Sequence, residues 1–188
     1  MREEIDKYWF PVGHFNEDQR DYFIEVLDKL QPKSVLEIGW ASGRSCITIL
    51  ATSKPQKMLS VDIDLDYIEG ARSHANSFKE RYPNWDICEG DSTVLLTEEY
   101  MKKEFPNGVD FIFVDGGHDY KSAKLDCHNT YNHLNTGGVM VVDDFKSGPP
   151  NGCSIPDVER AVIDFARQHN LSFEEWNVGG KGFAIFKK

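Results

Sequence analysis

Apolar residues along this chain follow two alternating rhythms. Short, nearly unbroken apolar runs read as strands: SVLEIG (34–39), KMLSVD (57–62), WDICEG (85–90), VDFIFVD (109–115) and VMVVDD (139–144). Between them, apolar residues three or four apart read as helices. Asn16 caps a predicted helix over 17–30, with Phe23, Val26, Leu27 and Leu30 on one stripe and Pro32 as its stop. Further helices are expected at 43–53, 65–82 and 93–105, and from Asp119 or Ser122 to 134. Another should run over 156–169, where Pro156 suits a first turn. SFEEWNV and KGFAIFKK flank Gly179-Gly180 as a hairpin at the sheet edge. Residues 1–15, with Tyr8, Trp9, Phe10 and Phe15, are expected to be irregular.

Strand and helix in alternation predict an α/β fold with a mostly parallel, Rossmann-like, doubly wound sheet. Seven strands are expected, including an antiparallel C-terminal hairpin strand. A length of 188 residues suits a single compact unit: an arm and helix over 1–33, then the main domain over 34–188. The loop 145–155, with Gly148, Pro149, Pro150 and Gly152, is the expected substrate-contacting loop.

Composition removes several function classes. A formal net charge of −10 argues against a nucleic-acid substrate, which normally demands a basic face. Lys181, Lys187 and Lys188 make a small basic cluster, expected to be a solvated edge. No apolar run is long enough to cross a bilayer, and the start shows no secretory signal. Cys46, Cys88, Cys127 and Cys153 are scattered and match no zinc spacing, so reduced thiols and a cytoplasmic location are expected.

The candidate chemistry lies at strand exits. Asp115 leaves one predicted strand; Asp143 and Asp144 leave another. In a parallel sheet those ends line the ligand crevice. Three clustered carboxylates repel one another unless a cation sits among them, and oxygen ligands favour a hard ion such as Mg²⁺. After the first strand, Gly39 and Gly43 permit a tight turn and close ligand approach, although the loop is not the dinucleotide GxGxxG. Asp62 ends the second strand, where an acid can accept from ribose hydroxyls. Asp91 and Ser92 follow the third. Acids leaving successive strands suit a nucleoside-like ligand.

With LEIGWASGRS, LSVDID, CEGDS, VDFIFVDGGHDY and LNTGGVMVVDDF in this order, the chain resembles the class I S-adenosylmethionine-dependent methyltransferases over 34–188. The resemblance implies S-adenosylmethionine as cofactor. It implies Gly39 and Gly43 around the methionine part, with Trp40 and Ser45 in the same loop, and Glu37 near the amino group. It further implies Asp62 on the ribose, and Asp91 with Ser92 by the adenine. Ala41 stands where many relatives have a third glycine.

Asp115, Asp143 and Asp144 resemble the metal acids of the catechol, caffeoyl-CoA, macrocin and aminocoumarin-sugar O-methyltransferases. That implies Mg²⁺ or another divalent cation and an acceptor with vicinal oxygens. His118 stands where catechol-type relatives have a lysine base, so it is the candidate proton acceptor. Asp115 could instead serve the cofactor's amino group. Arg44 is a candidate partner for an anionic substrate group or for an acid. The implied partner is a small hydroxylated molecule rather than nucleic acid or membrane, with homo-oligomerisation open. A cofactor-binding accessory protein without methylating activity, and a nicotinamide-dependent oxidoreductase, are the rival readings.

Overall fold

β4 (Val109–Val114) is almost uniformly apolar because the sheet covers it on both sides and helices cover both its faces. The computed structural model describes residues 1–146 and 155–188. Within them, β1 (Ser34–Ile38), β2 (Lys57–Asp62), β3 (Trp85–Glu89), β4, β5 (Leu134–Val142), β6 (Glu174–Val178) and β7 (Lys181–Lys187) form one sheet. Its order is β3-β2-β1-β4-β5-β7-β6. The first five strands are parallel, and β7 runs antiparallel to both its neighbours. This is the expected Rossmann-like sheet.

Chain order reverses between β1 and β4. The carboxyl ends of these two strands therefore diverge into a crevice, the position where open α/β sheets take ligands.

The helices form two layers. α1 (Arg2–Tyr8), α2 (Glu17–Leu30), α3 (Arg44–Ser53) and α4 (Ala71–Arg81) pack with Val35, Met58, Phe111, Phe113 and Phe183 on one face. α5 (Ser92–Leu95), α6 (Glu98–Glu104), α7 (Tyr120–Tyr131) and α8 (Pro156–His169) cover Leu36, Ile38, Ile112, Val114 and Met140 on the other. Phe23 of α2 sits at the centre of the first layer, its ring 4.8 Å from Phe113, 4.9 Å from Phe15 and 5.5 Å from Phe183.

Several boundaries depart from the sequence reading. Residues 2–8 form a helix rather than irregular chain. Tertiary contacts hold it: Ile5 is fully buried, and Glu4 accepts from Arg81 and from the Tyr82 hydroxyl at 2.8 Å each. α4 starts at Ala71, because Asp64 accepts from the Asp66 N–H and Gly70 turns left-handed (φ 83°) before it. The helix expected over 93–105 is two, since Thr97 opens a new start by accepting from the Tyr100 N–H.

Cys46, Cys88 and Cys127 are free thiols, the first and last buried. Cys153 and most of the expected loop at 145–155 lie outside the described residues. No helix among the described residues is long and apolar enough to cross a membrane.

Candidate active site

The turn after β1 is built by packing as much as by any ligand. Gly39 has φ 86°, and a side chain there would collide with the Asp115 carbonyl, so the glycine lets β1 and β4 end side by side. Gly43 (φ 78°) starts α3 under the Trp40 ring, which would lie 2.7 Å from an added Cβ. Trp40 beside this loop admits ligand contact or core packing, and its ring is packed in the core. Its ring is 1% exposed and packs against His74, Phe78 and Trp85, so it faces the core.

Asp62 fastens this loop. Its Oδ2 accepts from the Trp40 N–H (2.7 Å) and the Ala41 N–H (2.8 Å), and its Oδ1 from the Asp64 N–H. Glu37 is the penultimate residue of β1 and is fully buried. Ser45 Oγ donates to one of its oxygens (2.6 Å) and Ser60 Oγ to the other (2.5 Å). Burial pushes its pKa up to about 8 against the pull of those two donors. Among the described residues Arg44 pairs with no acid. It donates to the carbonyls of Phe10, Pro11, Gly13 and Phe15 and lies over the Trp9 ring, clasping the N-terminal arm to α3.

At the next strand end, Asp91 caps α5 by accepting from the Thr93 N–H and hydroxyl. It borders an open hollow of about 570 Å³ with Val94, Leu95 and Tyr100 in its wall. Ser92 Oγ donates to Asp126 Oδ1 at 2.8 Å. Asp126 is fully buried, its Oδ2 has no hydrogen-bond partner among the described residues, and burial pushes its pKa up to about 7.

The acids after β4 and β5 separate into two groups. Ligand-capable atoms of Asp115, His118 and Asp144 all lie within 4.8 Å of one another. His118 Nε2 is 3.5 Å from Asp115 Oδ1 and 3.3 Å from Asp144 Oδ2. Asp143 is not in that group. The Gln19 side-chain amide donates to both of its oxygens at 2.9 Å, and its Oδ1 also accepts from the Asp144 N–H at 2.6 Å.

Lys181, expected at a solvated edge, is instead 14% exposed, with Nζ 3.4 Å from Asp144 Oδ1. Burial, then the charges of Asp115 and Asp144, push the Asp143 carboxyl well above its ordinary range. The hydrogen bond to Asp115 raises the His118 pKa against the opposing effect of burial. Burial pulls the Lys181 ammonium down, but Asp144, Asp143 and Asp115 outweigh it and raise it.

Gln19, Asp126 and Lys181 were not singled out as site residues from the sequence. A signal existed for two of them. Gln19 stands three residues after the cap Asn16, the spacing of a capping box. Lys181 opens a strand after a hairpin turn, and an antiparallel strand brings its first residue to the crevice side. Nothing local marks Asp126.

A family model described as a methyltransferase domain matches residues 36–145, from β1 to just past the paired acids. An uncharacterized protein of Acanthamoeba polyphaga mimivirus is 36% identical over 59 residues, which are 31% of this chain. The match takes in 27% of that relative's length, about a quarter of it. Among solved structures, the O-methyltransferase from Bacillus cereus in complex with SAH is similar with a TM-score of 0.74 and 16% identity. It covers 99% of this chain and 91% of that one. The O-methyltransferase TomG from Streptomyces achromogenes, in complex with SAM, is similar with a TM-score of 0.72 and 16% identity, over 99% and 87% of the two chains. At these identities the likeness is one of fold.

Proposed function

The chain belongs to the methyltransferase-domain family, and from that footing we propose that it moves a methyl group from S-adenosylmethionine to a hydroxyl of a small molecule, aided by a divalent cation. The convergence of Asp115, His118 and Asp144 beside the β1 loop carries this reading. The Bacillus and Streptomyces proteins, described as O-methyltransferases in complex with SAH and SAM, support the cofactor and the acceptor atom.

The donor set fits a hard cation. Two carboxylates suit Mg²⁺ or Mn²⁺. Asp115 and Asp144 are the residues that would hold it. Such an ion, when bound, lowers the pKa of an acceptor hydroxyl and fixes its direction. A small molecule with two adjacent oxygens is the acceptor class this favours.

His118 is half-exposed at the crevice, and the carboxylates of Asp115 and Asp144 beside Nε2 make its ring more basic. In the neutral ring, protonated at Nδ1, its role is to take the hydroxyl proton at Nε2 as the oxygen attacks the methyl carbon in line with the departing sulfur; Asp115 and Asp144 then stabilise the imidazolium. Asp62 serves the ribose and holds the loop. Gly39, Gly43 and Ser45 frame the methionine end, with Glu37 beneath them. Asp91 and Ser92 serve the adenine.

The test is transfer of labelled methyl to catechol and other vicinal diols, with Mg²⁺ and with excess chelator. Transfer with Mg²⁺ that chelator abolishes is the expected result. His118→Gln should lower kcat by about 10²-fold. A rate unchanged in chelator removes the cation from the reading. Cofactor binding without transfer to any diol favours the non-methylating accessory role, and NADH binding would revive the oxidoreductase.

A further inference from the structure

The acidic cluster carries a cation of its own. Lys181 is the first residue of β7, and its neighbours in the turn, Gly179 and Gly180, aim the strand back along β5. The antiparallel direction matters here. Parallel strands bring their last residues to the crevice, whereas β7 brings its first. The Phe145 N–H donates to the Gly182 carbonyl at 3.0 Å, which pins this start beside the segment that bears Asp143 and Asp144.

The side chain then turns inward. A lysine that is only 14% exposed gives up most of its hydration, which charged neighbours must offset. Asp144 lies between two cationic groups: its Oδ1 is 3.4 Å from Lys181 Nζ and its Oδ2 3.3 Å from His118 Nε2. Both of its oxygens are thus engaged by side chains. A divalent ion that used Asp144 would face the ammonium at the same carboxylate.

Resting on the proposed cation site, we infer that Lys181 is a built-in competitor for the metal. Its ammonium balances Asp144 in the metal-free protein and must swing away, or tolerate a nearby divalent charge, when the ion enters. It is a positioning residue: it acts through Asp144 and sets how tightly the ion is held. The consequence is weak, readily exchangeable metal binding, in contrast to a site whose acids have no resident counter-charge.

The test is Mn²⁺ binding to the full chain, measured by calorimetry and by the electron paramagnetic resonance signal of free Mn²⁺. Lys181→Met keeps the length and removes the charge, and Lys181→Gln gives the same comparison should the methionine variant fail to fold. Lys181→Arg keeps a cation. The neutral variant is expected to bind Mn²⁺ at least tenfold more tightly, with the arginine variant near the parent. A lost structural contact alone would not tighten binding. Equal or weaker binding by a folded neutral variant overturns the competitor role and leaves the cation site standing. Absence of Mn²⁺ binding in the parent and every variant overturns the cation site, and the competitor role with it.

Discussion

Glu37 is a fully buried carboxylic acid just before the end of a strand, and that placement has a pH signature. An unfolded glutamate titrates near 4.5, whereas burial holds this one up to about 8. The folded state therefore keeps its proton over a range where the unfolded state has lost it. Stability from this group is full below about pH 4.5 and is lost as pH rises through about 8, at about 1.4 kcal/mol per unit of pKa difference. Glu37→Gln should flatten the decline, since an amide can still meet Ser45 and Ser60. Urea midpoints from pH 5 to 8 decide it; parallel curves for parent and variant would count against the buried proton. Residues of this kind were visible in the chain because they sit at or near strand ends in a recognisable order. Gln19 and Lys181 were not placed in the crevice, because the contacts they make span 124 and 37 positions and exist only once the layers pack.

One amide of α2 serves two structures at once. Gln19 Oε1 accepts from the Asn16 N–H in the capping box, and its Nε2 donates to Asp143. Gln19→Ala should lose both the cap bond and the donor to a buried carboxyl, at a cost of about 1–3 kcal/mol. Asn16→Ala should cost about 1 kcal/mol, because only the cap is lost. Chemical denaturation of the two variants separates them, and equal losses would show that the Asp143 bond contributes nothing. At this scale the sequence was a good guide wherever a start signal and a long apolar stripe coincided, as with the capping box of α2 and Pro156 in the first turn of α8. It failed for α1, seven residues with no side-chain cap, whose helical state depends on Ile5 in the core and on the ion pair of Glu4 with Arg81, 77 positions away. Short helices are decided by docking, which no local pattern records.

The sheet as a whole was legible because a parallel sheet must repeat strand, helix, strand, and the fivefold recurrence of apolar runs left few alternatives. Its switch point between β1 and β4 then located the crevice. A ligand bound across the carboxyl ends of several strands should stabilise the folded molecule globally. S-adenosylhomocysteine at about 100 times its Kd should add about 2.7 kcal/mol. At that same concentration Asp62→Ala should lose most of this gain, because the loop amides at Trp40 and Ala41 lose their common acceptor. Thermal shift reads both, and identical shifts would remove Asp62 from the cofactor site.

The outermost strand on the far side of the sheet has a last consequence. Among the described residues β6 pairs only with β7, and it carries Glu174 and Glu175 on its two faces, tied to Lys187 at 2.7 Å and Lys146 at 2.9 Å. An unpaired rim invites strand-by-strand growth between molecules. Here an arriving copy would bring its own charges up to a strand that already carries Glu174 and Glu175, an arrangement that works against such growth.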